Sequence, residues 1–190
     1  MAIFDWDGDG LDEILTTYSS LFAVYDGSDG SMLLNRWTTQ WCPSPLQLFD
    51  QGFLKHPLPV AADFLGNGAE QVLLAGMSAT IAVVESGGDP IWHTEMFSGS
   101  PKRTMQGVGD FDGDGDLDLL SVGHCNGAGS ELQVFEAFTG DLRWTMGLGA
   151  VCGSWMVPTH VVTVDLDGDG RDEALFTYGN VLYAIGENDG

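Results

Sequence analysis

In the stretch DWDGDGLDE, residues 5–13, side-chain oxygens stand at positions one, three, five and nine: Asp5, Asp7, Asp9 and Glu13. Glycines hold positions four and six, Gly8 and Gly10. In a tight turn, side chains on alternate residues can converge on one centre, and glycine admits backbone dihedrals that other residues resist. Two carboxylates about 5 Å apart repel by about 3 kcal/mol at an effective dielectric near 20, so four together require a cation. All-oxygen ligation by several carboxylates favours Ca²⁺ over Mg²⁺, which keeps its waters, and over Zn²⁺, which prefers His or Cys.

The pattern returns. DFDGDGDLD occupies residues 110–118, DLDGDGRDE residues 165–173, and a worn copy, DFLGNGAEQ, residues 63–71. Turn preference for Asp and Gly would explain a single DGDG. Three near-identical nonamers in register with a longer period favour metal binding instead. Position seven (Leu11, Asp116, Arg171) is read as a backbone-carbonyl ligand, because its side chain varies without regard to charge. Position eight (Asp12, Leu117, Asp172) is read as no ligand.

The elements that must hold these loops are legible from the same repetition. The loops begin at Asp5, Asp63, Asp110 and Asp165, 58, 47 and 55 residues apart. Each is preceded by a short apolar segment (AIF, PVAA, QGVG, VVTV) and followed by two more runs, such as EILTTY and LFAVYD. A Gly- and Asp-rich turn comes next, then a short run ending in tryptophan at Trp37, Trp92 and Trp144. Short apolar or alternating runs rich in β-branched and aromatic residues read as strands, and nothing reads as a long amphipathic helix. Four short strands in a period near 50 residues fit a β-propeller blade of four antiparallel strands better than a solenoid or a sandwich. The expected fold is all-β: one propeller region over 1–190, with blades near 2–41, 58–98, 105–147 and 158–190. The last stops before its tryptophan strand, so an incomplete propeller, a fragment of a longer one, is expected, and a small four-bladed ring is the runner-up.

Composition bounds the partners. The 190 residues are 44% hydrophobic, enough for a core, with 28 Asp plus Glu against 6 Lys plus Arg and a net charge of -22. Such a surface repels phosphate backbones and anionic lipids and attracts cations. The acids gather in the loops while the segments between are apolar, which argues against disorder. No apolar run approaches a membrane span. Cys42, Cys125 and Cys152 are too few and too scattered for a disulfide framework or a zinc site, and at most one pair can form.

The D-x-D-G-D-G-x-x-D/E loop followed by an apolar strand resembles the FG-GAP or VCBS-type repeats found in the propeller of integrin α-subunits and in many bacterial secreted and surface proteins. Repeated, the resemblance covers nearly the whole chain. It implies Ca²⁺ held through positions one, three, five, the carbonyl of seven, and nine. Carried over, the first site is Asp5, Asp7, Asp9, Leu11 and Glu13, and the third is Asp110, Asp112, Asp114, Asp116 and Asp118. The fourth is Asp165, Asp167, Asp169, Arg171 and Glu173. The second copy departs from the pattern with Asp63, Leu65, Asn67 and Gln71, and is expected to bind weakly or not at all. VYDGSDGSMLLNRW and VFEAFTGDLRW also resemble quinoprotein-like propeller repeats, and their combination with acidic loops is similar to rhamnogalacturonan lyases of the calcium-containing type. Blade packing alone would also select Gly at the turn and Trp on the outer strand.

Catalytic constellations are not found. VCGSWM at 151–156 is similar to the papain-type C-G-S-C-W but lacks the nucleophilic second cysteine. His124 and Cys125 in HCN are read as part of an ordinary Gly-rich loop, and His56, His93 and His160 lack metal-ligand spacing. Trp41, Cys42 and Pro43 lie in an irregular connector, residues 38–57. Two classes remain: a calcium-stabilised adhesion or binding module for protein or glycan, and part of a carbohydrate-active enzyme. Acidic polysaccharides need Arg and Lys to neutralise them, and six such residues favour the first class. Ca²⁺ sites of modest affinity fill outside cells, so an extracellular, cell-surface or periplasmic setting is expected.

Overall fold

The computed structural model describes residues 2–18, 21–37, 59–75, 80–95, 104–125, 129–148, 161–178 and 181–186. Their regular structure is β throughout, in four antiparallel sheets. The first is β1 (Ala2–Phe4), β2 (Glu13–Tyr18), β3 (Leu21–Tyr25) and β4 (Met32–Trp37), bonded in chain order. The second repeats this order with β5 (Val60–Ala62), β6 (Gln71–Ala75), β7 (Thr80–Val84) and β8 (Pro90–Glu95). The third has β9 (Thr104–Gly109), β10 (Asp118–Cys125), β11 (Gly129–Glu136) and β12 (Leu142–Gly147), and the fourth β13 (Val162–Val164), β14 (Glu173–Tyr178) and β15 (Val181–Ile185). Among the described residues no helix is long and apolar enough to cross a membrane.

One register positions every acidic loop. The last residue of each first strand faces position nine of the loop: Phe4 opposite Glu13, Ala62 opposite Gln71, Gly109 opposite Asp118, and Val164 opposite Glu173. The antiparallel pair therefore clamps both ends of the nonamer, and positions one to eight bulge beyond the ladder.

The third and fourth strands of the first three sheets share a second device. Gly30, Gly88 and Gly140 donate to the carbonyls of Asp26, Glu85 and Glu136, each from positive φ (74°, 75° and 77°). The fourth strand then carries one extra residue opposite the third: Leu33, Ile91 or Arg143. That register corrects the tryptophan pattern read from sequence. Trp92 faces Val83 and Trp144 faces Val134, but the residue facing Val24 is Leu34, while Trp37 lies opposite Leu21. Strands β8 and β12 also run three residues past their tryptophans. His124 and Cys125 close β10, opposite Ser130 and Gly129, so the HCN stretch begins in a strand and not in a loop.

The chain divides into two compact units, Met1–Glu95 and Met96–Gly190. In the first, Phe4, Trp6, Leu15, Val24, Val72, Leu74 and Val84 form the core. Phe4 and Trp6 meet edge to face at 5.6 Å, so the residue after Asp5 drives the loop into the core. In the second unit, Phe111 does the same among Leu120, Val122, Leu132, Val134, Ala174, Phe176 and Ile185. Its two sheets are also bolted together by polar groups. Asp172 N donates to Asp110 O at 2.7 Å, Asp110 N donates to Asp172 Oδ2 at 3.0 Å, and Thr163 Oγ1 donates to Val108 O at 2.5 Å. Asp172, read from sequence as no ligand, is thus a cross-sheet clasp. Trp41, Cys42, Pro43, His56, Cys152 and His160, with the stretches 38–57, 151–156 and 187–190, lie outside the described residues.

Candidate metal centres

Within each acidic loop, position one organises the backbone. Asp5 accepts from Gly8 N (2.8 Å) and Gly10 N (3.0 Å), Asp110 from Gly113 N (2.7 Å) and Gly115 N (2.9 Å), and Asp165 from Gly168 N (2.6 Å) and Gly170 N (3.1 Å). The glycines at four and six all adopt positive φ, for example 81° at Gly8 and 89° at Gly10. Position three accepts from the amide of five (Asp7, Asp112, Asp167), and position five from the amide of seven (Asp9 from Leu11, Asp114 from Asp116, Asp169 from Arg171). Position nine reaches back to the amide of position two: Glu13 to Trp6 (2.9 Å), Asp118 to Phe111 (3.3 Å), and Glu173 to Leu166 (2.8 Å). Each carboxylate has about four lone-pair sites, so these amides leave acceptor capacity at every ligand position.

The wiring brings three carboxylate sets together, each with ligand atoms within 4.8 Å of one another: Asp5, Asp7 and Glu13; Asp110, Asp112 and Asp114; Asp165, Asp167 and Glu173. Asp118 does not join the third set, whereas Glu13 and Glu173 join theirs. Asp is one methylene shorter than Glu, and Asp118 has another partner, described below. Glu13 and Asp118 are both buried at 2% exposure. A buried carboxylate is costly without an opposite charge. Three convergent, all-oxygen sets, the first with the buried Glu13, fit a hard divalent cation.

The second loop keeps positive φ at its two glycines, Gly66 and Gly68, and has a different filling. Asp63 accepts from Asn67 N and Gly68 N, and Gln71 Oε1 accepts from Leu65 N at 3.0 Å. Gln71 Nε2 then donates to Ala69 O (2.5 Å) and Asn67 Oδ1 (3.4 Å). An amide N–H₂ group satisfies the acceptors at positions five and seven that a cation would need, so this loop does not fit a metal.

The third loop holds a residue that the loop motif does not contain. Arg143, the extra residue of the β12 bulge, ion-pairs with Asp112, and lies 3.4 Å from both Asp114 Oδ2 and Asp118 Oδ1. Its Nη2 and Nε also donate to Glu136 Oε2, at 2.5 and 3.1 Å. Burial, with the Glu136 charge second, pushes the Asp118 carboxyl up to about 7, and burial likewise raises Glu136. From the fourth loop, the Arg171 stem lies against the third: a Cβ on Gly113 would stand 3.0 Å from Arg171 Cγ. Sequence reasoning passed over Arg143; the signal that could have found it is that it is among only six basic residues. The register places it where Leu33 and Ile91 stand in the first and second sheets.

No protein-family model matches the sequence, and no curated protein matches it. Solved structures do match. The chain aligns with the exotype rhamnogalacturonan lyase YesX at TM-score 0.61 and 16% identity, covering 99% of this chain and 39% of that one. The Pseudomonas aeruginosa PilY1 C-terminal domain aligns at 0.57 and 14%, covering 87% and 36%. Quinohemoprotein alcohol dehydrogenase from Comamonas testosteroni aligns at 0.51 and 10%, covering 94% and 32%. Identities this low show the fold alone: antiparallel blades of the β-propeller type. The chain spans about two fifths or less of the length of each of these proteins.

Proposed function

We propose that the first, third and fourth acidic loops bind Ca²⁺, and that the chain is a calcium-stabilised propeller module of the FG-GAP or VCBS kind. It serves outside the cell, or at its surface, as a scaffold that engages protein or glycan. The observation that carries the reading is the shared wiring of the three loops, in which backbone amides aim three carboxylates at one centre while Glu13 is buried. The worn second loop supplies the contrast, since its Gln71 amide replaces the cation it has lost the charge to bind. Bound Ca²⁺ would neutralise each set and tie the loop to the strands at both ends, so binding energy becomes folding energy. Extracellular Ca²⁺ suits sites of millimolar to submillimolar affinity, which supports the placement outside.

Thermal unfolding in millimolar Ca²⁺ and in chelator tests the metal, with Asp7→Ala and Asp167→Ala beside the unsubstituted chain. Ca²⁺ is expected to raise the midpoint, by about 2.7 kcal/mol of stability for each site at a hundredfold excess over its Kd. Each substitution should remove part of that gain. Equal midpoints with and without chelator would sink the calcium reading. Capture of glycans and matrix proteins on immobilised chain, with and without Ca²⁺, tests the adhesive role.

A second reading, part of a polysaccharide lyase, draws on the alignment with a rhamnogalacturonan lyase. Only 6 basic residues against 28 acidic ones disfavour binding of an acidic polymer. Release of an unsaturated, ultraviolet-absorbing product from rhamnogalacturonan would favour it. A quinoprotein-like role comes third, and a visible cofactor spectrum in purified protein would promote it.

A further inference from the structure

Arg143 separates the third acidic loop from the first and fourth. Its guanidinium contacts Asp112, Asp114 and Asp118, at positions three, five and nine of the loop, while Nε and Nη2 bond Glu136 on the neighbouring strand. The bulge in β12 makes this possible, because the extra residue is re-aimed out of the strand's alternation. In the first and second sheets the same bulge position is Leu33 and Ile91, which carry no charge. Gln71 in the second loop is an independent precedent, since there too a side-chain N–H donor of the chain itself takes up loop acceptors.

From this placement we infer that Arg143 is a tethered counter-cation of the third loop that competes with Ca²⁺, which makes this loop the weakest of the three calcium sites. This rests on the calcium reading of the loops. A guanidinium pairs well with carboxylates through directed N–H bonds, but it brings one charge, whereas Ca²⁺ brings two and accepts six to eight oxygens. Ca²⁺ entering the third loop must displace Arg143 from Asp112 and Asp114, and Glu136 is placed to keep the departing side chain. The third loop thus holds its carboxylates together at low Ca²⁺ and exchanges its internal cation for the metal only at higher concentration.

A Ca²⁺ titration of chelator-stripped protein, followed by two-dimensional amide NMR, tests this loop by loop. Gly10, Gly115 and Gly170 report the first, third and fourth loops, and the Arg143 Nε–H resonance reports the guanidinium. Gly115 is expected to shift at a Ca²⁺ concentration at least tenfold above Gly10 and Gly170, with Arg143 Nε–H moving in step. In Arg143→Leu, the residue type of the first sheet, the Gly115 midpoint should fall at least tenfold while the other two stay. If that variant does not fold, the titration of unsubstituted protein still decides. An Arg143 Nε–H that stays still while Gly115 titrates overturns the proposal, as does a Gly115 midpoint unchanged in Arg143→Leu. If none of the three glycines responds, the calcium reading fails and this proposal with it, an outcome distinct from failure at Gly115 alone.

Discussion

At the scale of single residues, the acidic loops are a division of labour among carboxylates. Position one spends its hydrogen bonds on the glycine amides at four and six, and position nine is anchored under the loop by the amide of position two. The glycines were legible as such in the sequence, since only a residue without Cβ adopts φ near 80–90° without strain. The role of Asp118 was not, because its environment depends on Glu136 and Arg143 arriving from two other strands. In chelated protein its carboxyl is pushed up to about 7 from an ordinary 3.8, by burial first and Glu136 second. The folded chain therefore keeps a proton that the unfolded chain has already released between about pH 4 and 7. Stability contributed at this position falls as pH rises through that window. Urea midpoints of chelated protein at about pH 5 and 7 should differ in that direction, and Asp118→Asn should flatten the difference; a slope unaffected by the substitution would contradict it.

At the scale of elements, strand pairing does the positioning. The alternation of β2, β6, β10 and β14 was readable from their apolar runs, and so was the placement of each loop between a first and a second strand. The register was not readable, and two features of the sequence misled. Trp37, grouped with Trp92 and Trp144, lies opposite Leu21, and Leu34 holds the equivalent place. His124 and Cys125 lie in β10 because their ladder with Gly129 and Ser130 continues past the apolar run. Contact between sheets within the second unit depends on glycine for want of space. A Cβ on Gly109 would lie 2.6 Å from Asp172 Oδ2 and 3.1 Å from Thr163 Cβ. Gly109→Ala is expected to dislodge the Asp110–Asp172 clasp and cost about 1–3 kcal/mol, the usual range for overpacking. Its urea midpoint should fall with Ca²⁺ present as well as in chelator, since the clasp is independent of the metal; an unchanged midpoint would refute the clasp.

At the scale of the whole molecule, a net charge of -22 is the dominant feature, and its self-repulsion opposes the compact state. Monovalent salt screens that repulsion, so in chelator the urea midpoint should rise between about 20 and 300 mM NaCl. With Ca²⁺ bound the salt effect should shrink, because up to three dications remove charge where it is densest. A chelated protein indifferent to salt would show that the acidic loops are solvated turns. The sequence by itself determined the all-β class, the propeller type of blade and the carboxylate loops at their places between strands, because each is written in local periodicity and local turn chemistry. Only the tertiary structure decided that Gln71 fills the second loop, that Arg143 enters the third, and that Asp172 clasps Asp110. Gln71 needed the loop folded around it before its amide met Ala69 and Asn67. The other two join residues far apart in the chain, Arg143 to Asp114 across 29 positions and Asp110 to Asp172 across 62, set by strand register, a bulge and the close approach of two sheets, and no local spacing encodes them.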